Sequence, residues 1–272
     1  MATFQSGGFN LAYDDIRPAG GEQGTVLLVH GFATSRAENW RRLGWYSAFE
    51  RKGWRAIAFD HRGHGESDKP HEAAAYARDA MVGDIFALMD HLGLGRVDLM
   101  GYSMGAHLSL RAALNEPSRV GKLVLGGVGG KMLPGRREAP PSNQAGAGAM
   151  TMAQAMLAPD ASAITDKTLK GFRLFAEQQG EDLAALAACS QGQGEGVNEA
   201  ELFGLAPPTL VVAGAHDEMA GDPQDLADAI PGAKAVTLPG CDHFNAIPHA
   251  LFKAAVFDFL EGYEEDDFPP FE

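Results

Sequence analysis

The sequence predicts an α/β fold, in which helices cover both faces of a mostly parallel central sheet. Five short runs of apolar residues have the pattern of strands that are buried on both sides. Helix-length segments separate these runs, and such alternation requires crossover connections between parallel strands. At 272 residues the chain is long enough for one large domain, or for one domain that carries an inserted subdomain.

The predicted elements can be placed in chain order. The predicted strands begin at residues 25, 54, 97, 122 and 208 and read TVLLV, WRAIAFD, VDLMGYS, KLVLGGV and PTLVVAGAHD. The predicted core helices are residues 38–53, 76–93, 104–117 and 246–260. FNLAYDDIRP predicts the antiparallel arm of an edge hairpin, and AKAVTLPG predicts one more strand near the end. Ligands bind at the carboxyl ends of the strands in such sheets, and the chain places there HGF, DHRGHGES, GYSMGA, GAHDEM and GCDHF.

Residues 131–205 interrupt this alternation, which divides the chain into a core of residues 1–130 and 206–272 and an insertion. The insertion begins with a connector rich in Pro, Gly and Ala and continues with segments of helical character. Because it lies between two strands, we expect it to cover their carboxyl ends as a helical cap, where a lid is its natural role. The alternative is a helical decoration packed on the side of the sheet.

Ser103 is the candidate nucleophile. It lies in GYSMGA, between a predicted strand and a predicted helix, and Gly-x-Ser-x-Gly in that context places a serine hydroxyl on an exposed, tight turn. Without the flanking elements, the same five residues could be an ordinary turn. The strand before the motif and the helix after it therefore favour the catalytic interpretation.

A serine hydroxyl needs a neighbouring base, and the base needs an orienting group. His243 follows the last predicted strand and is the candidate base, whereas His30 lies in a turn and is interpreted as shaping the backbone. Asp217 ends the preceding strand and is the candidate orienting acid. The order Ser103, Asp217, His243 is the order expected for a nucleophile elbow of this kind.

Acyl transfer also requires donors for the developing oxyanion, and backbone N–H groups serve this purpose. We expect the N–H groups of Met104, at the start of a helix, and Phe32, in the turn HGFATS, to form this oxyanion hole. The candidate residues of the substrate pocket are His30, Phe32, Met150, Met156, Phe172 and Phe175. The methionines and phenylalanines of the insertion could instead form the insertion's own core.

Taken together, HGF, DHRGHGES, GYSMGA, GAHD and CDHF resemble the α/β-hydrolase superfamily, in the same order and over nearly the whole chain. The resemblance implies a cap domain in the insertion. It also implies a scaffolding role for the residues of DHRGHGES, namely Asp60, Arg62, Gly63, Gly65 and Ser67. A serine at the elbow places the chain in the serine-nucleophile branch, since the dehalogenases and epoxide hydrolases of the superfamily use an aspartate there.

These residues predict a serine hydrolase that cleaves a small carboxylic ester or lactone through an acyl-enzyme, as a carboxylesterase does. Alternatives on the same scaffold are a carbon-carbon bond hydrolase of the diketone type, a thioesterase and a perhydrolase. A member that binds or signals without catalysis is a further alternative, because a fold alone does not define an activity.

Composition limits the partners. The formal charge of −14 repels polyanions, so neither nucleic acid nor a membrane surface is an expected partner, and the expected ligand is a small-molecule substrate. The start MATFQSGGFN has no signal-peptide pattern, which favours a cytoplasmic location. Two cysteines without metal-ligand spacing and no phosphate-binding loop predict neither a metal nor a cofactor. No feature of the sequence indicates the oligomeric state.

Overall fold

The computed structural model describes residues 1–133, 150–192 and 197–262. Its centre is an eight-stranded sheet with the order β1-β2-β4-β3-β5-β6-β7-β8. β1 pairs with β2 and β2 with β4 in antiparallel orientation, and all other neighbouring strands are parallel. The predicted α/β fold with a mostly parallel central sheet is therefore confirmed.

The strands are β1 Ala2–Ser6, β2 Phe9–Ile16, β3 Gly24–Val29, β4 Trp54–Phe59, β5 Val97–Tyr102, β6 Val120–Gly126, β7 Thr209–Gly214 and β8 Lys234–Leu238. The helices are α1 Trp45–Arg51, α2 Arg78–His91, α3 Met104–Asn115, α4 Met152–Leu157, α5 Lys167–Gln179, α6 Leu183–Gly192, α7 Glu199–Phe203, α8 Pro223–Asp228 and α9 Ala250–Glu261. Five short helical turns complete the described structure: Ala37–Arg41, Ala73–Tyr76, Pro117–Arg119, Gly130–Met132 and Ala161–Ala163.

The central strands bury both faces, which explains their unbroken apolar sequences. In β3, Leu27 and Val29 pack into one apolar core, whereas Val26 and Leu28 pack into a second core on the opposite face. Successive side chains of a strand alternate between the faces of its sheet, so both sets of positions must be apolar. The first core includes residues of α2 and α3, and the second includes residues of α1 and α9.

Two differences from the sequence prediction concern the segment after β3 and the edge of the sheet. The helix predicted over 38–53 is divided, because Gly44 adopts a left-handed conformation with φ +73° between the turn at Ala37–Arg41 and α1. The strand β1 was not predicted. It pairs with β2 across a hairpin turn at Gly7 and Gly8, whose φ angles of +56° and +87° suit glycine in a two-residue turn.

Four helices, α4 to α7, lie in the chain between β6 and β7. Helices α4, α5 and α6 contribute to a third apolar cluster, in which Met156, Phe172 and Leu186 pack with Ala33 of the core. Most of the predicted connector, residues 134–149, lies outside the described residues. The division into a core and a cap with boundaries at 131 and 205 stays a prediction.

None of the helices in the described ranges combines the length and the apolar character that crossing a bilayer requires.

Candidate active site

Ser103 occupies a strained turn between β5 and α3. Its φ of +53° and ψ of −114° lie in a region that L-residues rarely adopt. The turn is held by the Ser103 N–H, which donates to the carbonyl oxygen of Gly126 at 2.8 Å. This bond holds the serine at the carboxyl edge of the sheet despite the unfavourable backbone conformation.

The two flanking glycines are required by the packing of this turn. A Cβ on Gly101 would lie 2.2 Å from the carbonyl oxygen of Gly105, and a Cβ on Gly105 would lie 2.0 Å from the carbonyl oxygen of Val29. Both contacts are with backbone atoms, which cannot rotate away. The Gly-x-Ser-x-Gly pattern is therefore explained by the close approach of α3 to β3 and β5.

Ser103, His243 and Asp217 form one hydrogen-bonded chain. The Nε2 atom of His243 lies 2.9 Å from Oγ of Ser103, and its Nδ1 atom lies 2.8 Å from Oδ2 of Asp217. Since a carboxylate only accepts, Nδ1 carries the proton and Nε2 is left to accept from the serine hydroxyl. The structure thus brings together the three residues that the sequence singled out, in the geometry of a nucleophile, a base and an orienting acid.

Asp217 and His243 are both almost fully buried and are held by further hydrogen bonds. The second carboxylate oxygen of Asp217 accepts from the N–H groups of Met219 at 3.0 Å and Ala220 at 2.9 Å. The hydroxyl of Tyr102 donates to the carbonyl oxygen of His243 at 2.6 Å. These bonds fix the positions of the acid and the base before any substrate binds.

The turn that contains Phe32 lies beside Ser103. Phe32 and Ser103 line the same cavity, and the following residue Ala33 has φ +58°. Met104 is the first residue of α3, a position at which the backbone N–H has no acceptor within the helix. The turn is held by Asn39, whose Oδ1 atom accepts from the N–H of Gly31 at 3.2 Å.

Two cavities meet at Ser103 and His243, which line both of them. The first cavity has a volume of about 200 Å³ and an aromatic wall. Phe172 of that wall contacts Phe32 and Phe244, with ring centroids 6.0 and 5.5 Å apart. The other residues that line it are Gly31, Thr34, Glu38, Asn39, Leu43, Tyr102, Phe175, Gln179 and Ile247.

The second cavity, of about 430 Å³, lies at the ends of β6 and β7. Its wall includes His107, Lys131 and Glu218, so it is more polar than the first. The amine of Lys131 donates to the carbonyl oxygen of Glu218 at 2.6 Å, which links the segments after the two strands.

His30 differs from the expectation that it lines the pocket. It is fully buried in a cluster with His61 and His64, with ring centroids 4.4 and 5.3 Å from its own. Burial, which penalises the charged form, lowers the pKa of His30 to about 4 and that of His64 to about 3. The Nε2 atom of His30 accepts from the N–H of His61 at 3.0 Å, so this neutral cluster holds two loops together.

The methionines of the insertion also differ from the pocket prediction. Met156 is buried in the cluster with Phe172 and Leu186, and Met150 is 36% exposed. Neither lines the two cavities at Ser103, whereas Phe32, Phe172 and Phe175 line the first. Met156 fills space between helices, which is the common use of a methionine at helical spacing.

The contacts of the DHRGHGES segment stabilise its loop, as expected for a scaffolding role. The carboxylate of Asp60 accepts from the N–H of Glu66 at 2.8 Å and forms a buried ion pair with Arg36. The hydroxyl of Ser67 donates to the carbonyl oxygen of Asp60 at 2.6 Å. The N–H of Gly65 donates to the carboxylate of Glu181, which connects this loop to the inserted helices.

The same loop is also stabilised by Arg62, Gly63 and Gly65. Arg62 donates from Nε to Oδ2 of the buried Asp84 at 2.9 Å. Gly63 and Gly65 have φ angles of +81° and +52°, in the left-handed region that favours glycine. A Cβ on Gly65 would lie 2.2 Å from Oδ2 of Asp60, so the loop closes tightly around that carboxylate.

Among the site residues that were not singled out from the sequence, three hold or close the site. Tyr102 positions the His243 loop, Asn39 holds the Gly31 turn, and Phe244 closes the aromatic wall. Phe244 follows the candidate base directly, and Tyr102 precedes the candidate nucleophile. Their positions next to these residues in the sequence could have identified both. No feature of the sequence identified Asn39, because its position in the cavity depends on how residues 30–41 fold.

The described ranges hold no group of three or more His, Cys, Asp or Glu side chains that could bind a metal ion.

Comparisons with known proteins agree with the fold. A family profile described as the alpha/beta hydrolase fold matches residues 24–145. Epoxide hydrolase 2 of Siraitia grosvenorii is 36% identical over 123 residues, which are 45% of this chain and 36% of that protein. The chain spans about a third to a half of the length of several curated relatives that it matches.

Two other relatives match over nearly the whole chain. A Pseudomonas putida protein named 2-hydroxy-6-oxononadienedioate/2-hydroxy-6-oxononatrienedioate hydrolase 2 is 29% identical, and the alignment covers 92% of this chain and 91% of that protein. The structure of the enol-lactonase from Burkholderia xenovorans LB400 superimposes with a TM-score of 0.73 at 23% identity, covering 96% of this chain and 100% of that chain. The profile match and the eight-stranded, mostly parallel sheet show that the chain has the α/β-hydrolase fold.

Proposed function

We propose that the protein is a serine hydrolase that cleaves small carboxylic esters or lactones through an acyl-enzyme on Ser103. The observation that carries this proposal is the unbroken chain from Oγ of Ser103 through His243 to Asp217, with links of 2.9 and 2.8 Å. A serine that hydrogen-bonds a correctly oriented imidazole is an activated nucleophile.

In this mechanism Oγ of Ser103 attacks the substrate carbonyl carbon while its proton moves to Nε2 of His243. Asp217 accepts from Nδ1 and stabilises the imidazolium that forms. The backbone N–H groups of Phe32 and Met104 bind the oxyanion of the tetrahedral intermediate. The imidazolium then protonates the leaving alcohol, and a water that is deprotonated by His243 releases the acid from Ser103.

The two cavities support a division of the substrate at the scissile bond. We place the acyl group in the first cavity, beside the Phe32 turn that supplies an oxyanion donor. The leaving group then occupies the second, more polar cavity. A volume of about 200 Å³ limits the acyl group to a small one.

The inserted helices are proposed to act as a cap of residues 131–205 over this site. Phe172 and Phe175 of α5 form part of the wall of the first cavity, so this helix separates bound substrate from solvent. Exclusion of water by such a cover strengthens the electrostatic interactions beneath it.

Carbon-carbon bond hydrolysis is the second candidate function. The relative named as a dioate hydrolase, which matches over 92% of this chain, favours it. The same serine, histidine and aspartate serve both reactions, so turnover of a vinylogous diketone compared with turnover of an ester separates the two candidates.

The first test uses a fluorophosphonate probe, which reacts with activated serines whatever their substrate. We expect labelling of the wild-type protein at Ser103, located by peptide mass spectrometry, and no labelling of Ser103→Ala or His243→Ala. Ester, lactone and thioester panels then rank the substrate classes. A folded wild-type protein that is not labelled at Ser103 contradicts the acyl-enzyme mechanism.

A further inference from the structure

Asn39 is a polar side chain in the wall of the first cavity, and it is only 2% exposed. Its Oδ1 atom accepts from the N–H of Gly31 at 3.2 Å. Since an N–H only donates, this bond identifies the oxygen of the amide and fixes the position of its NH₂ group. Within the described ranges, Nδ2 has no hydrogen-bond partner.

A buried donor without an acceptor is costly, and in a native structure it calls for an explanation. A Cβ placed on Gly31 would lie 3.6 Å from Cβ of Ser103 and 3.7 Å from Oδ1 of Asn39. The amide of Asn39 and the nucleophile therefore border the same small space. An acyl group attached to Ser103 lies within reach of this amide.

Glu38 is the charged neighbour of Asn39 in the same wall. Its carboxylate pairs with Arg42, with Oε1 and Nε 3.1 Å apart. A negatively charged group on the acyl chain would be repelled by this carboxylate. The wall of the cavity therefore holds an unpartnered, buried N–H donor and, next to it in the chain, a carboxylate.

We propose that Asn39 determines acyl specificity, with its Nδ2 group donating to a hydroxyl or carbonyl oxygen of a small, uncharged acyl chain. The inference rests on the proposed function, because it assumes that the acyl group of an ester or lactone occupies the first cavity. It narrows the substrate class to esters and lactones of hydroxy or oxo acids.

The test compares p-nitrophenyl esters that share one leaving group. Butanoate has no acceptor on its acyl chain, 3-hydroxybutanoate and 3-oxobutanoate each add one neutral oxygen, and the succinate monoester adds a carboxylate. For the wild-type protein we expect kcat/KM to be at least about tenfold higher for the two oxygenated neutral esters than for butanoate, since one satisfied buried donor supplies roughly that factor. We expect the succinate monoester to be the poorest substrate.

Asn39→Asp is the informative variant, because it keeps an oxygen for the N–H of Gly31 and removes the donor. At pH 8 we expect the ratio of kcat/KM for the oxygenated esters to kcat/KM for butanoate to fall to about one. We expect kcat/KM for butanoate itself to change less. Asn198→Asp is the matched control: Asn198 is an exposed helix cap whose oxygen accepts from the N–H of Glu201 at 2.9 Å. This control makes the same chemical change far from the cavity and keeps the wild-type preference.

The outcomes separate this inference from the proposed function. Fluorophosphonate labelling at Ser103 in wild type and both variants shows that the nucleophile is intact. The role of Asn39 is refuted if the protein is labelled and hydrolyses esters but the wild type does not prefer the oxygenated esters over butanoate. It is also refuted if Asn39→Asp keeps that preference. In both cases the hydrolase function stands. A higher kcat/KM for the succinate monoester than for the neutral esters refutes the proposal that the acyl chain is uncharged. Absence of labelling in wild type refutes the proposed function itself.

Discussion

Asp217 performs two tasks with one carboxylate. Its Oδ2 atom accepts from Nδ1 of His243, and its Oδ1 atom accepts from two backbone N–H groups in its own loop. The loop bonds fix the direction of the acid, and the acid in turn fixes the tautomer of the imidazole. On the proposed mechanism, both are needed before Ser103 can lose its proton.

Asp217→Asn separates these tasks, because an amide oxygen still accepts from the loop while the NH₂ group can donate to Nδ1 of His243. The imidazole then carries its proton on Nε2 and cannot accept from Ser103. We expect kcat for ester hydrolysis to fall by about 10³ to 10⁴-fold with little change in the melting temperature.

Asp242→Asn is the control for this substitution. Asp242 is exposed, lies next to His243 in the chain, and accepts from the N–H groups of Phe244 and Asn245 at 2.9 Å each. An amide oxygen preserves those bonds, so we expect activity near that of the wild type. Equal losses in both variants would contradict the special role of Asp217.

The residues at the site differ in how far the sequence can predict them. Ser103, Asp217 and His243 each follow a predicted strand, so chain order alone places them at one edge of the sheet. Asn39 lies in a segment that was predicted as a regular helix, whereas the chain there forms a short turn that Gly44 ends. Its side-chain contacts are tertiary, and no local pattern encodes them.

At the scale of elements, the contact of α3 with β3 and β5 positions Ser103, the proposed nucleophile. Gly105→Ala introduces a methyl group 2.0 Å from the carbonyl oxygen of Val29 and 2.6 Å from that of His30. Because both contacts are with backbone, the helix must move. We expect the free energy of unfolding to fall by about 3 kcal/mol or more, measured as a lower urea midpoint or as loss of soluble protein.

Gly83→Ala is the matched comparison, since Gly83 lies inside α2 and a Cβ there would have no atom within 4 Å. Alanine is the better helix former, so we expect this variant to gain up to about 1 kcal/mol. An unchanged urea midpoint for Gly105→Ala would show that the elbow tolerates a side chain, contrary to the geometry.

Prediction of the elements was most direct where burial dictated the sequence. β3 to β7 are apolar on both faces, which makes them visible as continuous runs. β1 lies at the edge of the sheet, and most of its side chains are exposed. An edge strand has no such compositional requirement, so only its tertiary pairing with β2 defines it.

At the scale of the whole molecule, three buried imidazoles make the folded state sensitive to acid. Burial holds the pKa values of His30, His61 and His64 below their ordinary value of 6.5. In the unfolded chain these side chains bind protons as the pH falls below about 6.5, whereas the folded chain does not bind them until about pH 4 or lower. Stability therefore decreases as the pH falls through this window.

His64→Asn tests this linkage, because an asparagine NH₂ group can replace Nδ1, which bonds the carbonyl oxygen of Arg62 at 3.1 Å. We expect the variant to lose less unfolding free energy than wild type between pH 6.5 and 4, measured by urea titration at several pH values. His216→Asn changes an exposed imidazole and is expected to keep the wild-type slope. Identical slopes for His64→Asn and wild type would exclude His64 as a source of acid sensitivity.

Ser103 and His243 line two cavities rather than one, and this has a kinetic consequence for the proposed acyl-enzyme. After the first half-reaction the acyl group still fills the aromatic cavity, while departure of the leaving group vacates the polar one. An alcohol that enters there meets the acyl carbon and the same imidazole that would otherwise activate water. The partition between hydrolysis and transesterification is then set by competition between water and alcohol for the second cavity, independently of how fast the acyl-enzyme forms.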